Sequence, residues 1–325
     1  MIGLVRVEAT RFRSRRAVVL LLLIAAVLAA VIAGATAWDT RPVSDADIAA
    51  AEAQAAEEAQ QPYVAEELER CEADPEQWGG PDFTADQCEE AVTPQAEWFL
   101  FRSALDLGSQ REGAALAATM VLVGIAVVVG ATFAGADWGS GSMSNQLLFQ
   151  ARRGRVWVVK GLVVALGMML ATAVVLVALW AFLHAVATAR DLPGLSGELL
   201  ALVRGDVLRG ALTAGAAALG GYALSMLTRS TVATVATLFV LSVAGEILVS
   251  LLPVAGRMRF SPGSNLVAVL ADGTQVYDET VACTGLDQEC GFLSISLGHG
   301  VVYLGAAVVL VALTSWASFR RRDVP

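Results

Sequence analysis

The side chains in this 325-residue chain that can do chemistry are few. A compact polar island between two long apolar runs lies between Gly135 and Lys160, in the stretch GADWGSGSMSNQLLFQARRGRVWVVK. One acid, Asp137, opens it and four cations, Arg152, Arg153, Arg155 and Lys160, close it; turn-prone residues and an apolar patch, Leu147, Leu148 and Phe149, lie between. These residue types contain no nucleophile paired with a base. What they offer is ion pairing: arginine forks suit carboxylates and phosphates, and an aspartate at a helix start favours the helix dipole. Elsewhere Glu246 is the one acid within an apolar run, a candidate for contact with substrate or proton, or for structural pairing with a neighbouring helix. His184 and His299, the two histidines, fall at the ends of apolar runs and read as interfacial. No Ser/His/Asp set, metal-ligand cluster or G-x-x-x-x-G-K-[ST] phosphate loop occurs. No catalytic residue, metal ligand or cofactor is therefore assigned to the chain.

The elements that must position these residues follow from composition. Hydrophobic residues make up 56% of the chain and charged residues 16%, more apolar surface than a soluble domain can bury, so an all-α polytopic membrane protein is expected. Segment 1–16 carries five arginines and one glutamate interleaved with Leu4, Val5, Val7 and Phe12, and reads as a basic amphipathic helix on the inner membrane surface; a disordered basic tail is the rival. Six apolar runs follow, at 17–38, 114–134, 156–187, 210–227, 231–252 and 299–319, each taken as a span because about 20 residues cross the hydrocarbon core. For the first run a cleaved leader is the rival, since Ala35-Thr36-Ala37 resembles a cleavage site; its 22 uncharged residues exceed the roughly 7–15 of a secretory leader. Small residues Gly210, Ala214, Ala217, Ala218 and Gly221 recur at helical spacing in the fourth run and permit close helix contact.

Segment 39–112 holds 19 of the 31 acids against four arginines. It reads as a small helical domain: Ser44 caps a helix at 45–60 that Pro62 ends, a second helix covers 64–72, Trp78-Gly79-Gly80-Pro81 is a turn, and Thr84 caps a third helix through Cys88 to Val92. A Cys71–Cys88 bridge joins two of these helices and compensates for a thin core. The remaining pieces are a polar loop at 135–155, connections at 188–209 and 253–298, the second of them with re-entrant character, and a tail at 320–325.

Charge sets the orientation. With both termini inside, the inner parts carry 13 Lys/Arg and three acids, while the outer parts carry nine Lys/Arg and 27 acids in far longer segments. All four cysteines then lie outside, where disulfides Cys71–Cys88 and Cys283–Cys290 persist.

The order of these elements resembles the ABC-2-type permeases, membrane subunits of ABC exporters, and especially their actinobacterial form. The resemblance runs the length of the chain. It is most specific at Asp137-Trp138-Gly139-Ser140-Gly141-Ser142-Met143, Asn145-Gln146-Leu147-Leu148, Arg152-Arg153-Gly154-Arg155 and Lys160, and again at Phe319-Arg320-Arg321-Arg322-Asp323. Asp137 stands where that family usually has glutamate, and Ala151 where it has proline. The resemblance implies a multi-pass protein of the bacterial plasma membrane. It implies a dimer with a second copy or a close paralogue, and two copies of a separate ATPase subunit that binds ATP and Mg. It also implies that loop 135–155 is the coupling helix, with Asp137, Trp138, Gly139, Ser142, Leu147, Leu148, Arg152, Arg153 and Arg155 engaging that ATPase. Lipid is the other expected partner; nucleic acid is not. Two rival functions stand beside this one: a proton-driven secondary transporter, which wants inverted repeats and several intramembrane ionisable groups, and a non-transporting scaffold or sensor that uses the acidic outer domain.

Overall fold

In hydrocarbon a backbone must satisfy its own hydrogen bonds, so long apolar runs have little choice but to become helices. A computed structural model of the chain describes residues 2–80, 83–100, 102–150, 152–281 and 291–321. Helices α1 (Ile2–Ser14) and α2 (Arg16–Asp39) begin the chain. Four short helices follow, α3 (Asp45–Glu58), α4 (Pro62–Ala73), α5 (Pro75–Gly79) and α6 (Ala85–Val92). The long series comes next: α7 (Ala114–Gly139), α8 (Ser142–Phe149), α9 (Arg153–Ala189), α10 (Gly197–Thr228) and α11 (Thr231–Ser250), then α12 (Pro262–Leu270) and α13 (Leu297–Arg321). Six of these, α2, α7, α9, α10, α11 and α13, are long and apolar enough to cross a membrane.

Two compact units result, one made of Met1–Ala35 with Asp106–Pro325, the other of Thr36–Leu105. In the smaller unit Ser44 and Asp47 form a reciprocal cap on α3, and Thr84 with Gln87 does the same for α6. Cys71 of α4 and Cys88 of α6 are disulfide-bonded, with Val64, Val92, Leu68 and Phe83 packed round them. Pro62 does not merely end the first helix; it opens α4, since a proline loses no hydrogen bond in the first turn. Trp78 and Gly79 lie within the short helix α5 rather than in a turn.

The larger unit is built round α10, which packs against α7, α9 and α13. Its small residues let backbones meet. A Cβ placed on Gly130 of α7 would lie 2.0 Å from the Ala218 carbonyl oxygen, and one on Gly221 of α10 would lie 2.2 Å from that of Val127. Phe133, Met143, Trp157, Tyr222 and Phe319 fill the core at the α8 end.

Several expected boundaries change, for one physical reason: hydropathy reports where lipid ends, not where the helix does. Helix α7 runs five residues past 134 and takes in Asp137, Trp138 and Gly139; α9 starts at Arg153, so Arg153 and Arg155 belong to its first turn rather than to a loop. The largest change is α10, which starts at Gly197 and absorbs most of the expected connection 188–209. Glu198, Arg204, Asp206 and Arg209 ended the apolar run without ending the helix, because all are compatible with helical backbone and no proline intervenes. Segment 253–298 departs from an all-α fold: strands β1 (Thr274–Tyr277) and β2 (Phe292–Ile295) pair antiparallel, Thr274 opposite Ile295 and Tyr277 opposite Phe292. The same segment also contains α12, which packs on α13. The expected Cys283–Cys290 bridge lies outside the described residues.

Candidate functional site: a buried charge cluster

Lys160 sits two turns into α9 and is fully buried. An unpaired ammonium there would be very costly, so its partners matter. Its Nζ donates to Asp137 Oδ2 at 2.6 Å and to Glu8 Oε2 at 2.8 Å. Glu8 is equally buried and Asp137 is 1% exposed. Arg15, in the break between α1 and α2, pairs with the other Asp137 oxygen and donates to the Phe133 carbonyl. Gln146 of α8 donates from Nε2 to Glu8 Oε1 at 2.6 Å and accepts from Arg11 at 3.2 Å. The Ser142 hydroxyl, at the start of α8, donates to Asp137 Oδ1 at 2.9 Å. Both cations also face the Phe133 ring, Arg15 at 4.7 Å and Lys160 at 5.4 Å.

The cluster therefore joins four elements: α1 through Glu8 and Arg11, α7 through Asp137, α8 through Ser142 and Gln146, and α9 through Lys160. Two buried carboxylates face three cations, Lys160, Arg15 and Arg11, and every charged group has several partners. Such a network is stiff in geometry and intolerant of losing one member. Phe12 supports it, edge-on to Phe133 at 5.8 Å and against Gly167 of α9. Helix α1 is thus not simply laid on a membrane surface; it packs on α9 with Glu8 and Phe12 inside.

Asp137 is not at a helix start. It lies in the last turn of α7, where the dipole disfavours a carboxylate, and Lys160 and Arg15 supply the compensation. The other expected loop residues divide into two sets. Ser142 and Leu147 face inward, Leu147 onto the core, and Trp138 packs edge-on to Phe319 with the Arg229 guanidinium 4.8 Å above its ring. Leu148 and Phe149, 81% and 87% exposed, project with Gly139 and Arg152 into solvent, while Arg153 and Arg155 are half-buried in the first turn of α9. Helix α8 thus has one face pinned to the cluster and one bare apolar end.

Glu246 of α11 accepts from the Gly263 amide at 2.6 Å and so caps α12 together with Ser261. That is the structural pairing among the expected roles, and it suits a carboxylate at a helix N-terminus. The histidines also make structural contacts: His184 Nδ1 accepts from the Leu195 amide, and His299 Nε2 lies 3.2 Å from the Arg259 carbonyl. A second charged group lies at the other end of the bundle. Asp206 of α10 takes both Arg111 (2.7 and 3.1 Å) and Arg209 (2.5 Å), and Arg209 also reaches Asp272 after α12 at 3.1 Å. These groups are partly exposed. Among the described residues no group of three or more His, Cys, Asp or Glu side chains can hold a metal ion.

Sequence reasoning passed over Glu8, Arg15 and Gln146, and noted Lys160 without assigning it a role. Two signals were present. Glu8 is a lone acid in an arginine-rich segment, and Lys160 is a charge inside an expected span, a position that needs a buried partner.

Compared with known proteins, the chain finds no match: no protein-family model, curated protein or solved structure corresponds to it.

Proposed function

We propose that this chain is the membrane-spanning subunit of an ATP-driven exporter of the ABC-2 permease type, working as a dimer with a separate ATPase bound at α8. The observation that carries this reading is the Glu8–Lys160–Asp137 cluster with Gln146 and Ser142. It fastens α8 and α1 to two spans at once, so that a push on the bare end of α8 is delivered to α7 and α9 together. Leu148, Phe149 and Arg152 form the contact surface for the ATPase, with aliphatic and aromatic anchors at its centre and a cation beside them. The inner position of α8 follows from the basic charge around it. ATP and Mg belong to the partner, whose hydrolysis drives the motion. The weakly buried faces of α11 and α13 are open to lipid or to the second copy.

The test is affinity purification of the full chain from its native membrane. The expected outcome is co-recovery of an ATPase with a phosphate loop and signature motif. Leu148→Asp with Phe149→Asp then abolishes that recovery while the permease still elutes as a folded species. Cargo movement by the pure chain in proteoliposomes, driven by a pH gradient with no ATPase present, overturns the reading. That outcome belongs to the rival proton-driven transporter, which the three buried ionisable groups favour and the helix-capping role of Glu246 disfavours.

A further inference from the structure

Spans α2 and α9 leave an open seam between them. One groove of about 630 Å³ is walled by Leu22 and Ala25 of α2, by Leu166 and Thr172 of α9, and at one end by Phe12 and Arg13 of α1. A second groove of about 380 Å³ continues along the same two helices, between Ala29 and Ala33 of α2 and Phe182 of α9, and shares Val174 and Val175 with the first. The surface is nearly all apolar, with two polar exceptions. Arg13 is an exposed cation at the α1 end. Thr172 is 1% exposed, and its buried hydroxyl has no hydrogen-bond partner among the described residues, an unusual state for such a group.

From this arrangement we infer that the seam is a binding site for an anionic glycerophospholipid of the leaflet on the amino-terminal side. One acyl chain lies along α2 and α9, and the phosphate lies at Arg13. Thr172, whose hydroxyl lacks a partner among the described residues, lines the groove and is the one uncharged hydrogen-bond donor among its side chains. Three observations select this occupant. The two grooves adjoin along α2 and α9, are lined almost wholly by apolar side chains, and are of a size that holds ligands. The seam's one charged end lies at headgroup level, where α1 carries Arg6 and Arg13 and α2 begins with Arg16; among the described residues none of the three makes an ion pair, whereas Arg11 and Arg15 are engaged in the cluster. Helix α1 also lines the first groove with Val5, Ala9, Phe12 and Arg13, so the occupant meets a cationic amphipathic helix and not two bare spans alone, which suits a lipid with an anionic headgroup. The inference needs only the six spans and stands apart from the transport reading.

The experiment uses the purified full chain in phosphatidylcholine nanodiscs doped with a diazirine-acyl lipid, either phosphatidylglycerol or phosphatidylcholine. Photoadducts are mapped by peptide mass spectrometry. With the phosphatidylglycerol probe, adducts concentrate at residues 163–175, roughly fivefold above the phosphatidylcholine probe, the factor one basic residue near an anionic surface is worth. Arg13→Gln removes that preference, and Ala171→Phe, which fills the groove, removes the adducts; adducts on α13 stay unchanged in both. Thr172→Val, which keeps the groove's shape, gives a smaller decrease and shows that a lost signal is not misfolding. Equal labelling by both probes overturns the inference, as does undiminished labelling at 163–175 in Ala171→Phe. An intermolecular disulfide formed by Ala171→Cys in the same nanodiscs also overturns it, by placing a second copy in the seam.

Discussion

Two charged regions of this molecule face opposite surroundings. The cluster round Lys160 has five charges, of which Glu8, Asp137 and Lys160 are dry, and each is matched by a partner from another element. The unit Thr36–Leu105 holds 17 acids; among the described residues most are wet, and Asp47 alone of them makes an ion pair. The first region is held by its charges and the second in spite of them. In the acidic unit the work falls to helix caps, a thin core and one disulfide. Asp47, its best-connected acid, binds Ser44 and Arg102 in the open, where an ion pair is worth little. The number of charges in a segment is therefore a poor guide to how much any of them matters; water access decides it.

The largest test strikes the dry cluster. Lys160→Met leaves Glu8 and Asp137 buried together without their shared cation and is expected to cost about 3–5 kcal/mol of unfolding free energy. Adding Glu8→Gln and Asp137→Asn should restore much of it, as measured by denaturant unfolding in detergent. If the triple variant is no better than the single one, the loss is packing rather than charge. The same burial means that reversing Asp137 is no clean test of partner docking, whereas Arg152→Glu, at an exposed position, is.

Next is the staple. Cys71→Ser with Cys88→Ser opens a crosslink between residues 17 apart and should cost the acidic unit about 3 kcal/mol. Rapid proteolysis between α4 and α6, with the spans untouched, is the expected readout. Full protease resistance would mean that the small core suffices.

An intermediate case sharpens the contrast. Arg111→Ala removes one partner of the partly exposed Asp206 and should cost about 1 kcal/mol or less, shrinking further in high salt. A salt-independent loss as large as that of Lys160→Met would place Asp206 in the same class as Asp137.

The smallest effect concerns pH. The Ser44 amide, then the Ser44 hydroxyl, then Arg102 hold the Asp47 carboxyl well below the usual carboxylate range. The amides of Ser109 and Gly108 lower Asp106 likewise. Because the folded value lies below an unfolded value of about 3.9, the unfolded chain takes up the proton first. This contribution is complete above that value and is lost as the pH falls through the folded one. Far-UV circular dichroism on acidification should show Asp47→Asn with a flatter loss of helix than wild type; identical acid profiles would assign the transition to other groups.

Much of the architecture was legible in the residue order. The apolar runs imply six spans because lipid allows an isolated run one solution, and the Ser44 and Thr84 caps could be read because capping is decided within four residues. The disulfide between Cys71 and Cys88 was legible for a related reason, as two short helices with little core and two cysteines leave few alternatives. Helix ends were read poorly wherever charge and helix overlap, as at Glu198–Arg209. The β1–β2 hairpin went unseen because its strands are four residues each and joined across a long connection.

The chemical types of the key residues were set by the order of amino acids alone: a lone glutamate among arginines at the start, an aspartate before a glycine-rich turn, a lysine inside an apolar run. That these meet was decided only by the tertiary structure. Glu8 and Lys160 are 152 residues apart, and their pairing depends on how α1 lies on α9, which no local pattern encodes. Local sequence can dictate a helix or a cap because the interacting groups are neighbours along the chain. A buried ion pair between distant segments exists only once packing has excluded the water that would otherwise satisfy both charges.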